Sequence, residues 1–286
     1  MTAGEALRKF TSILKQAGID EAADEAGVLL CHVLKLSKAE ILTQPERTLT
    51  GSELTLLEGL IARRLHREPS AYITGHREFY GFDLLVDTRV LIPRPETEIL
   101  VEEAVKFGRA WIGRYKKAIT VVDVGTGSGA IAIALAQHIS QALVFAVDIS
   151  PGALEVAASN VCRYGLNDRI TLVAGNLLEQ IDQKTDLIVA NLPYISAQEM
   201  LQLQPEIAGY EPAIALQGGV DGTEVIKGLL EQVPAKNNRN GALFIEIGKG
   251  QEDDIMPRIS RGLPGCVITL IKDLAGINRV IKIEVK

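Results

Sequence analysis

Residues 125–129, Gly-Thr-Gly-Ser-Gly, directly follow the apolar run Val121-Val122-Asp123-Val124. Such a run reads as a buried strand, and glycines after it let the backbone turn tightly and admit a ligand closer than a Cβ would allow. The free N–H groups of a helix starting there would face that ligand. Asp148 closes the next apolar run, 19 residues past Gly129, where a carboxylate can accept both hydroxyls of a ribose. Together these features indicate an adenosine-containing ligand and leave open which one. Gly125, Gly127 and Ala130 also satisfy the dinucleotide pattern G-x-G-x-x-A, so a nicotinamide or flavin enzyme is a rival. Asn191-Leu192-Pro193-Tyr194 follows the apolar run 187–190 and falls at the same carboxyl edge, where open α/β sheets bind ligands. An asparagine there also serves as a plain turn cap, and Pro-Tyr as packing.

These segments need a sheet to bring them together, and the flanking pattern supplies one. Runs rich in Val and Ile at 119–124, 143–148, 170–173, 187–190, 242–247, 267–271 and 279–284 read as strands. Residues 128–138 and 151–164 read as helices, the second with Ser150 as cap and Pro151 at its first position. The alternation predicts an α/β fold, a doubly wound, mostly parallel seven-stranded sheet with helices on both faces. The polar stretch 236–241 reads as a turn before a strand.

Up to about Glu68 the chain reads as helices only. Apolar positions recur near every 3.6 residues: Leu7, Phe10, Leu14 and Ala17, then Ala22, Ala26, Leu29, Leu30 and Val33, then Leu54, Leu57, Ile61 and Leu65. Gly18 ends the first helix, Thr50 with Glu53 has capping-box spacing, and Pro69 stops the last. Tyr72-Ile73, Phe79-Tyr80-Gly81-Phe82 and Leu84-Leu85-Val86 have the β-favouring, glycine-interrupted texture of a hairpin. The expected organisation is a small all-helical domain at 1–70, a β-hairpin linker at 71–95 and a ligand-binding α/β domain at 96–286.

With 286 residues, of which 47% are hydrophobic and 23% charged, the chain can bury a large core and is not disordered. Its longest apolar run, 130–136, is far below the roughly 20 residues of a membrane helix, and the N-terminus lacks the apolar run of a secretory signal. Cys31, Cys162 and Cys266 form no Cys-x-x-Cys pair, which argues against a disulfide framework or a zinc site and for a reducing cytoplasm. No metal is expected. A net charge of −6 disfavours direct binding of nucleic acid through its phosphates. The basic clusters Arg63, Arg64 and Arg67, and Arg114, Lys116 and Lys117, read as solvated helix faces.

Asn191-Leu192-Pro193-Tyr194 resembles the Asn-Pro-Pro-Tyr motif of S-adenosylmethionine-dependent methyltransferases acting on planar amide or amino nitrogens, and residues 125–129 with Asp148 resemble their cofactor motifs. Further segments narrow the resemblance to the protein-(glutamine) methyltransferases that modify peptide chain release factors, the HemK/PrmC family. They are Tyr72-Ile73-Thr74-Gly75 with Phe79-Tyr80-Gly81, Leu91-Ile92-Pro93-Arg94-Pro95-Glu96-Thr97-Glu98, and Tyr210-Glu211-Pro212 with Gly218-Gly219. Phe244-Ile245-Glu246-Ile247-Gly248 with Gln251 and Lys272-Asp273-Leu274-Ala275-Gly276 complete a likeness that extends over nearly the whole chain.

The resemblance implies a Rossmann-like methyltransferase sheet, S-adenosylmethionine as cofactor with S-adenosylhomocysteine as product, and a release factor as protein partner. Asn191 Oδ1 and the Leu192 carbonyl would accept the two N–H bonds of a glutamine amide, with Pro193 holding the loop and Tyr194 packing on the amide plane. Gly125, Thr126, Gly127, Ser128 and Gly129 would serve the methionine and ribose side, Asp148 the ribose hydroxyls, Ile149 the adenine face, and Asn176 with Leu177 the adenine edge. Arg94 and Thr97 would close the pocket from the linker side, and Glu246 reads as readily structural as functional. Leu192 departs from the family's first proline, keeping the carbonyl while loosening the loop. Asn176 stands where a related methyltransferase carries Asp, keeping an acceptor without the charge. The alternatives are a glutamine methyltransferase of a ribosomal protein and an adenine amino-methyltransferase on nucleic acid. From other classes come a dinucleotide-dependent oxidoreductase and an inactive cofactor-binding partner. No membrane contact is expected, and the oligomeric state is left open.

Overall fold

The structure, a computed structural model, describes all 286 residues. They form two compact units, Met1–His76 with Gln204–Tyr210, and Arg77–Leu203 with Glu211–Lys286.

The first unit contains α1 (Ala3–Gln16), α2 (Ala22–Leu34), α3 (Lys38–Thr43), α4 (Gly51–Leu65) and α5 (Ser70–Thr74). Three capping boxes, Thr2 with Glu5, Ser37 with Glu40 and Thr50 with Glu53, satisfy the first free N–H groups of α1, α3 and α4. Phe10, Leu14, Leu29, Leu30, Leu57 and Ile61 meet in its core. Two expectations change here. Tyr72 and Ile73 lie in α5 instead of a strand, because Pro69 leads into a helical turn that Gly75, at φ +75°, closes in the left-handed region. On α4 the buried face is Leu57, Leu60, Ile61 and Arg64, while Leu65 is 37% exposed.

Carboxylates draw Arg64 inward. Its Nε donates to Glu25 at 2.8 Å, and both terminal nitrogens donate to Glu206 at 3.2 Å. Arg67 donates to the same Glu206 at 3.1 Å and to the carbonyls of Ala17 and Gly18 at the end of α1. Arg63 pairs with Glu68, and the Tyr210 hydroxyl donates to the His66 carbonyl at 2.8 Å. Arg63 stays exposed as expected, whereas Arg64 and Arg67 belong to an ion-pair network inside the unit and not to a solvated basic face. That network is what holds residues 204–210 to a bundle from which they are far removed in sequence.

In the second unit, β1 (His76–Phe79) and β2 (Phe82–Leu85) form a hairpin. Its two-residue turn, Tyr80-Gly81, has φ of 51° and 81°, matching the twist of the flanking strands. There follow α6 (Thr97–Tyr115), which periodicity alone did not single out, β3 (Ile119–Val124), α7 (Ala130–His138), β4 (Ala142–Asp148) and α8 (Pro151–Arg163). Next come β5 (Ile170–Ala174), β6 (Thr185–Ala190), α9 (Pro205–Tyr210, counted with the first unit) and α10 (Glu224–Lys236). The chain ends with β7 (Asn237–Glu246), α11 (Glu252–Gly262), β8 (Val267–Lys272) and β9 (Asn278–Glu284).

The seven strands lie in the order β5-β4-β3-β6-β7-β9-β8, and β9 alone runs opposite to the other six. The expected doubly wound, mostly parallel sheet is thus present. Alternate residues point to opposite faces. Val121, Val144, Leu187, Val189 and Phe244 pack toward α6 and α7, whereas Val122, Val147, Ile188, Leu243 and Ile245 pack toward α10 and α11. The stretch 236–241 is not a simple turn, because β7 begins at Asn237. Its pairing with β6 jumps from Thr185↔Asn237 to Leu187↔Ala242, a bulge that Asn240 accommodates at φ +61°. No helix is long and apolar enough to cross a membrane. Strand order reverses beside β3, so the carboxyl ends of β3 and β6 flank the crevice where open α/β sheets bind ligands.

Candidate active site

The glycine loop follows β3, whose penultimate residue Asp123 is a wholly buried carboxylate. Its Oδ2 accepts from the Thr126 hydroxyl at 2.7 Å and from the Ala132 backbone N–H at 3.1 Å, which ties the loop to the first turn of α7. Burial is the main cause that pushes this carboxyl up to about 7, and the charge of Asp148 adds to it. Gly125, Gly127 and Gly129 all have positive φ, so α7 starts at Ala130, two residues later than expected. At Gly125 a Cβ would meet the Leu192 side chain at 3.1 Å, so glycine lets the loops after β3 and β6 approach each other.

Asp148, at the end of β4, accepts from the Gly127 N–H at 2.8 Å through Oδ2 and from the Ser150 N–H at 2.9 Å through Oδ1. Burial raises its carboxyl above the ordinary range, against the pull of those N–H groups. Beside it Ile149 is 56% exposed, an apolar platform left uncovered by the fold. The Asn176 amide nitrogen donates to Glu179 at 2.8 Å, which leaves Oδ1 as the free acceptor of that amide. Leu177 adopts φ +54°, a conformation that costs a non-glycine residue about 1–2 kcal/mol.

Asn191, Leu192, Pro193 and Tyr194 follow β6. The Asn191 Nδ2 donates to the Thr97 hydroxyl at 3.0 Å, and the Tyr194 hydroxyl donates to Glu246 at 3.4 Å. Glu246 is buried at the end of β7, and burial pushes its carboxyl up to about 7. Gln251 fastens the loop by donating to the Tyr194 carbonyl at 2.8 Å and the Gly222 carbonyl at 3.2 Å. Gly218 lies so close that a Cβ there would fall 2.6 Å from the Pro193 carbonyl oxygen, which accounts for a glycine at that position.

A cavity of about 520 Å³ opens over these strand ends, within the size range of small-molecule sites. Gly125, Gly127, Asp148, Ile149, Asn176, Leu177, Asn191, Leu192 and Pro193 all line it. Thr126, Ser128 and Gly129 do not: Thr126 is turned to Asp123, the Ser128 carbonyl accepts from Asn160, and Gly129 caps α7. Arg94, Thr97 and Tyr194 lie outside the lining too. Arg94 is paired with the buried Glu211, while Thr97 accepts from Asn191 and Tyr194 donates to Glu246. Reasoning from the residues missed Asp123 as an anchor of the loop, Glu211 as the partner of Arg94, and Arg89 in the cavity wall. A second hollow, of about 680 Å³, is lined by Lys117, Lys184 and Lys286 and shares no residue with this site.

The cavity fits S-adenosylmethionine by its donor set: a carboxylate for ribose hydroxyls, an apolar shelf and an amide acceptor for adenine, and a glycine loop that leaves room for the methionine end. A doubly wound sheet with this site at its switch point is the arrangement of S-adenosylmethionine-dependent methyltransferases. Residues 5–75 match the family described as PrmC N-terminal domain, and residues 109–232 match Ribosomal protein L11 methyltransferase (PrmA). The chain is 40% identical over 270 residues to the release factor glutamine methyltransferase of Geobacter sulfurreducens, covering 94% of this chain and 91% of that protein. It is 34% identical over 285 residues to the release factor glutamine methyltransferase of Bacillus anthracis, covering 99% of each. A solved methyltransferase from Pyrococcus furiosus shares the fold, with a TM-score of 0.51 at 18% identity over 78% of this chain and 96% of that one. The chain belongs to the release factor glutamine methyltransferase family.

Proposed function

We propose that the chain transfers the methyl group of S-adenosylmethionine to the side-chain amide nitrogen of the glutamine in the Gly-Gly-Gln motif of peptide chain release factors. The observation that carries this reading is Asn191 on the wall of the cavity with its amide nitrogen committed to Thr97, which leaves Oδ1 to accept from a substrate. Family membership supports the same substrate class.

A glutamine amide is a weak nucleophile because its nitrogen lone pair is delocalised into the carbonyl. S-adenosylmethionine, when bound, supplies a methyl group already activated on a sulfonium. The chain's own task is therefore orientation and charge management. Asn191 Oδ1 and the Leu192 carbonyl accept the two amide N–H bonds, which aims the lone pair and favours the positive charge that builds on nitrogen. Pro193 holds the loop shape, and the Tyr194 ring packs on the amide plane. No strong base is needed before transfer, because the nitrogen becomes acidic only as it is alkylated. Asp148 would take the ribose hydroxyls, Ile149 and Leu177 the adenine faces, Asn176 its amino group, and Gly125 to Gly129 the methionine side.

The helical unit exposes Val28, Leu42 and Leu56, at 45%, 62% and 51%, and in this reading it grips the protein substrate. One glutamine in a short loop offers too little surface to select a single target. Release factors act in translation, which places the reaction in the cytoplasm. Mass spectrometry of a release factor incubated with the chain and S-adenosylmethionine tests the proposal. One added methyl group on the Gly-Gly-Gln glutamine is expected, and an unmodified release factor beside a methylated ribosomal protein or adenine would overturn it.

A further inference from the structure

We infer that Gln251 is a positioning residue for the Asn191–Tyr194 loop, holding from outside a turn that its own sequence leaves soft. The Asn-Pro-Pro-Tyr motif that this loop resembles has proline at both middle positions, whereas this chain has leucine at 192. Pro193 fixes its own φ and Leu192 leaves the preceding one free, so local sequence does not aim the Leu192 carbonyl. The upstream end of the loop is anchored in the sheet, where Ala190 pairs with Val124 on one side and Ile245 on the other. A second anchor is needed downstream.

Gln251 supplies it through three hydrogen bonds that use both ends of its side-chain amide. Nε2 donates to the Tyr194 carbonyl at 2.8 Å and to the Gly222 carbonyl at 3.2 Å, while Oε1 accepts from the Gly248 N–H at 2.8 Å. Both donors and the acceptor of the amide are engaged, so its partners fix the way it points. Three segments meet on this one side chain: the loop after β6 through Tyr194, the stretch before α10 through Gly222, and the turn after β7 through Gly248. Glycines let them close. A Cβ at Gly222 would fall 2.5 Å from the Tyr194 carbonyl oxygen and 3.0 Å from Gln251 Nε2, and one at Gly248 would fall 3.1 Å from Gln251 Oε1 and 3.3 Å from the Tyr194 ring. Tyr194 is thus gripped at its carbonyl by Gln251 and at its ring by Gly248, and residues 191–193 span a gap whose two ends are fixed. Gln251 also opens α11, but does so with its own carbonyl, which accepts from the Asp254 and Ile255 N–H groups and survives any change of side chain.

The inference rests on the Leu192 carbonyl and the Tyr194 ring meeting the substrate amide, and one arm of its test needs no substrate. In the full-length chain, backbone hydrogen exchange over residues 191–196 is followed by mass spectrometry for the parent, Q251M, Q251E, L192P and each Gln251 variant combined with L192P. Methionine keeps the length and removes all three bonds, whereas glutamate keeps the acceptor for Gly248 and removes the donors to Tyr194 and Gly222. Both are expected to speed exchange by about tenfold or more. With a release factor as substrate, both should lower kcat by about tenfold or more, with KM for that protein and S-adenosylmethionine affinity in calorimetry each within about twofold of the parent. Judged against L192P alone, where a second ring fixes the free torsion, the same substitutions should cost less than about threefold in either measurement. A side chain that merely tacks α11 in place would cost the same with leucine or proline at 192, and equal fold losses on the two backgrounds would overturn the inference. So would a parent-like kcat in Q251M, which would leave charge alone to explain Q251E, and so would exchange at the parent rate in both variants, whatever the substrate proves to be. Faster exchange in a chain that leaves release factors unmodified would instead count against the proposed substrate and leave the clamp standing.

Discussion

Asp123→Asn is expected to remove a pH-dependent weakness from the sheet unit. Asp123 is fully buried, with Oδ2 engaged by Thr126 and Ala132 and Oδ1 without a partner. Its carboxyl is raised from an ordinary 3.8 to about 7. An acid raised in this way contributes its full stability below the ordinary value. As pH climbs from about 4 to 7 the unfolded chain ionises freely while the folded one resists, so stability declines and then levels above about 7. Three pH units correspond to about 4 kcal/mol, more than half of which falls between pH 5 and 8. Asparagine keeps an acceptor for Thr126 and Ala132 and carries no charge. Trp111, the single tryptophan, is buried on α6 in the same unit, so urea unfolding followed by its fluorescence reads the right transition. Asp87, Asp254 and Asp273, whose carboxyls are held low by Arg89, Lys227 and backbone N–H groups respectively, act below pH 4. Glu246 is raised too and His32 lowered by burial, but both are common to parent and variant. The parent should lose on the order of 2 kcal/mol more than the variant between pH 5 and 8. Parallel behaviour of the two chains across that range would refute the reasoning.

Three further outcomes follow from the site. Asp148→Ala should weaken S-adenosylmethionine binding by about 1.5–3 kcal/mol in calorimetry, through lost charge-assisted hydrogen bonds, with an unchanged circular dichroism spectrum; parent-like affinity would remove Asp148 from the ribose. Asn191→Ala should abolish methyl transfer while binding cofactor nearly as the parent does, whereas Leu192→Pro should stay active, since only that residue's carbonyl is asked to act; substantial turnover in Asn191→Ala would end the amide-acceptor mechanism. Leu42→Glu and Leu56→Glu should raise KM for an intact release factor and leave KM for a Gly-Gly-Gln peptide unchanged; equal KM values for parent and variants on the intact protein would leave the helical unit without a part in recognition.

The sheet was legible because its strands are continuous Val and Ile runs, the central ones buried on both faces, with punctuation at their ends. The glycine loop, Asp148 and the Asn191 loop were legible for a related reason, since each immediately follows such a run. What stayed hidden depends on partners far away in sequence. Thr97 reaches Asn191 across 94 residues, and Arg64 reaches Glu206 across 142. A basic residue looks solvated until its carboxylates are located, which is why Arg64 and Arg67 were misread while Arg63 was not. α10 and α11 contain Pro234 and Pro257, residues that ordinarily mark breaks, so local pattern argued against them. The bulge at 237–241 has turn composition because it does turn, but within a strand whose pairing resumes beyond it.

Two of the strands that end at the site, β3 and β4, carry carboxylates raised by burial, and the charge of Asp148 adds to the shift at Asp123. A fold selected for stability alone would have no use for the pair, since burying a charge costs free energy unless a partner offsets it. Asp123 receives two donors and Asp148 at least two, yet both remain raised, so the protein's own groups do not complete the compensation. A ligand carrying positive charge into the crevice that Asp148 lines would add to it. S-adenosylmethionine is such a ligand, with a sulfonium and an ammonium group, whereas a nicotinamide dinucleotide would bring two phosphate charges to the same edge. A cationic ligand is therefore easier to seat beside Asp148 than one carrying two phosphates, which accords with the methyl donor that membership of the family indicates.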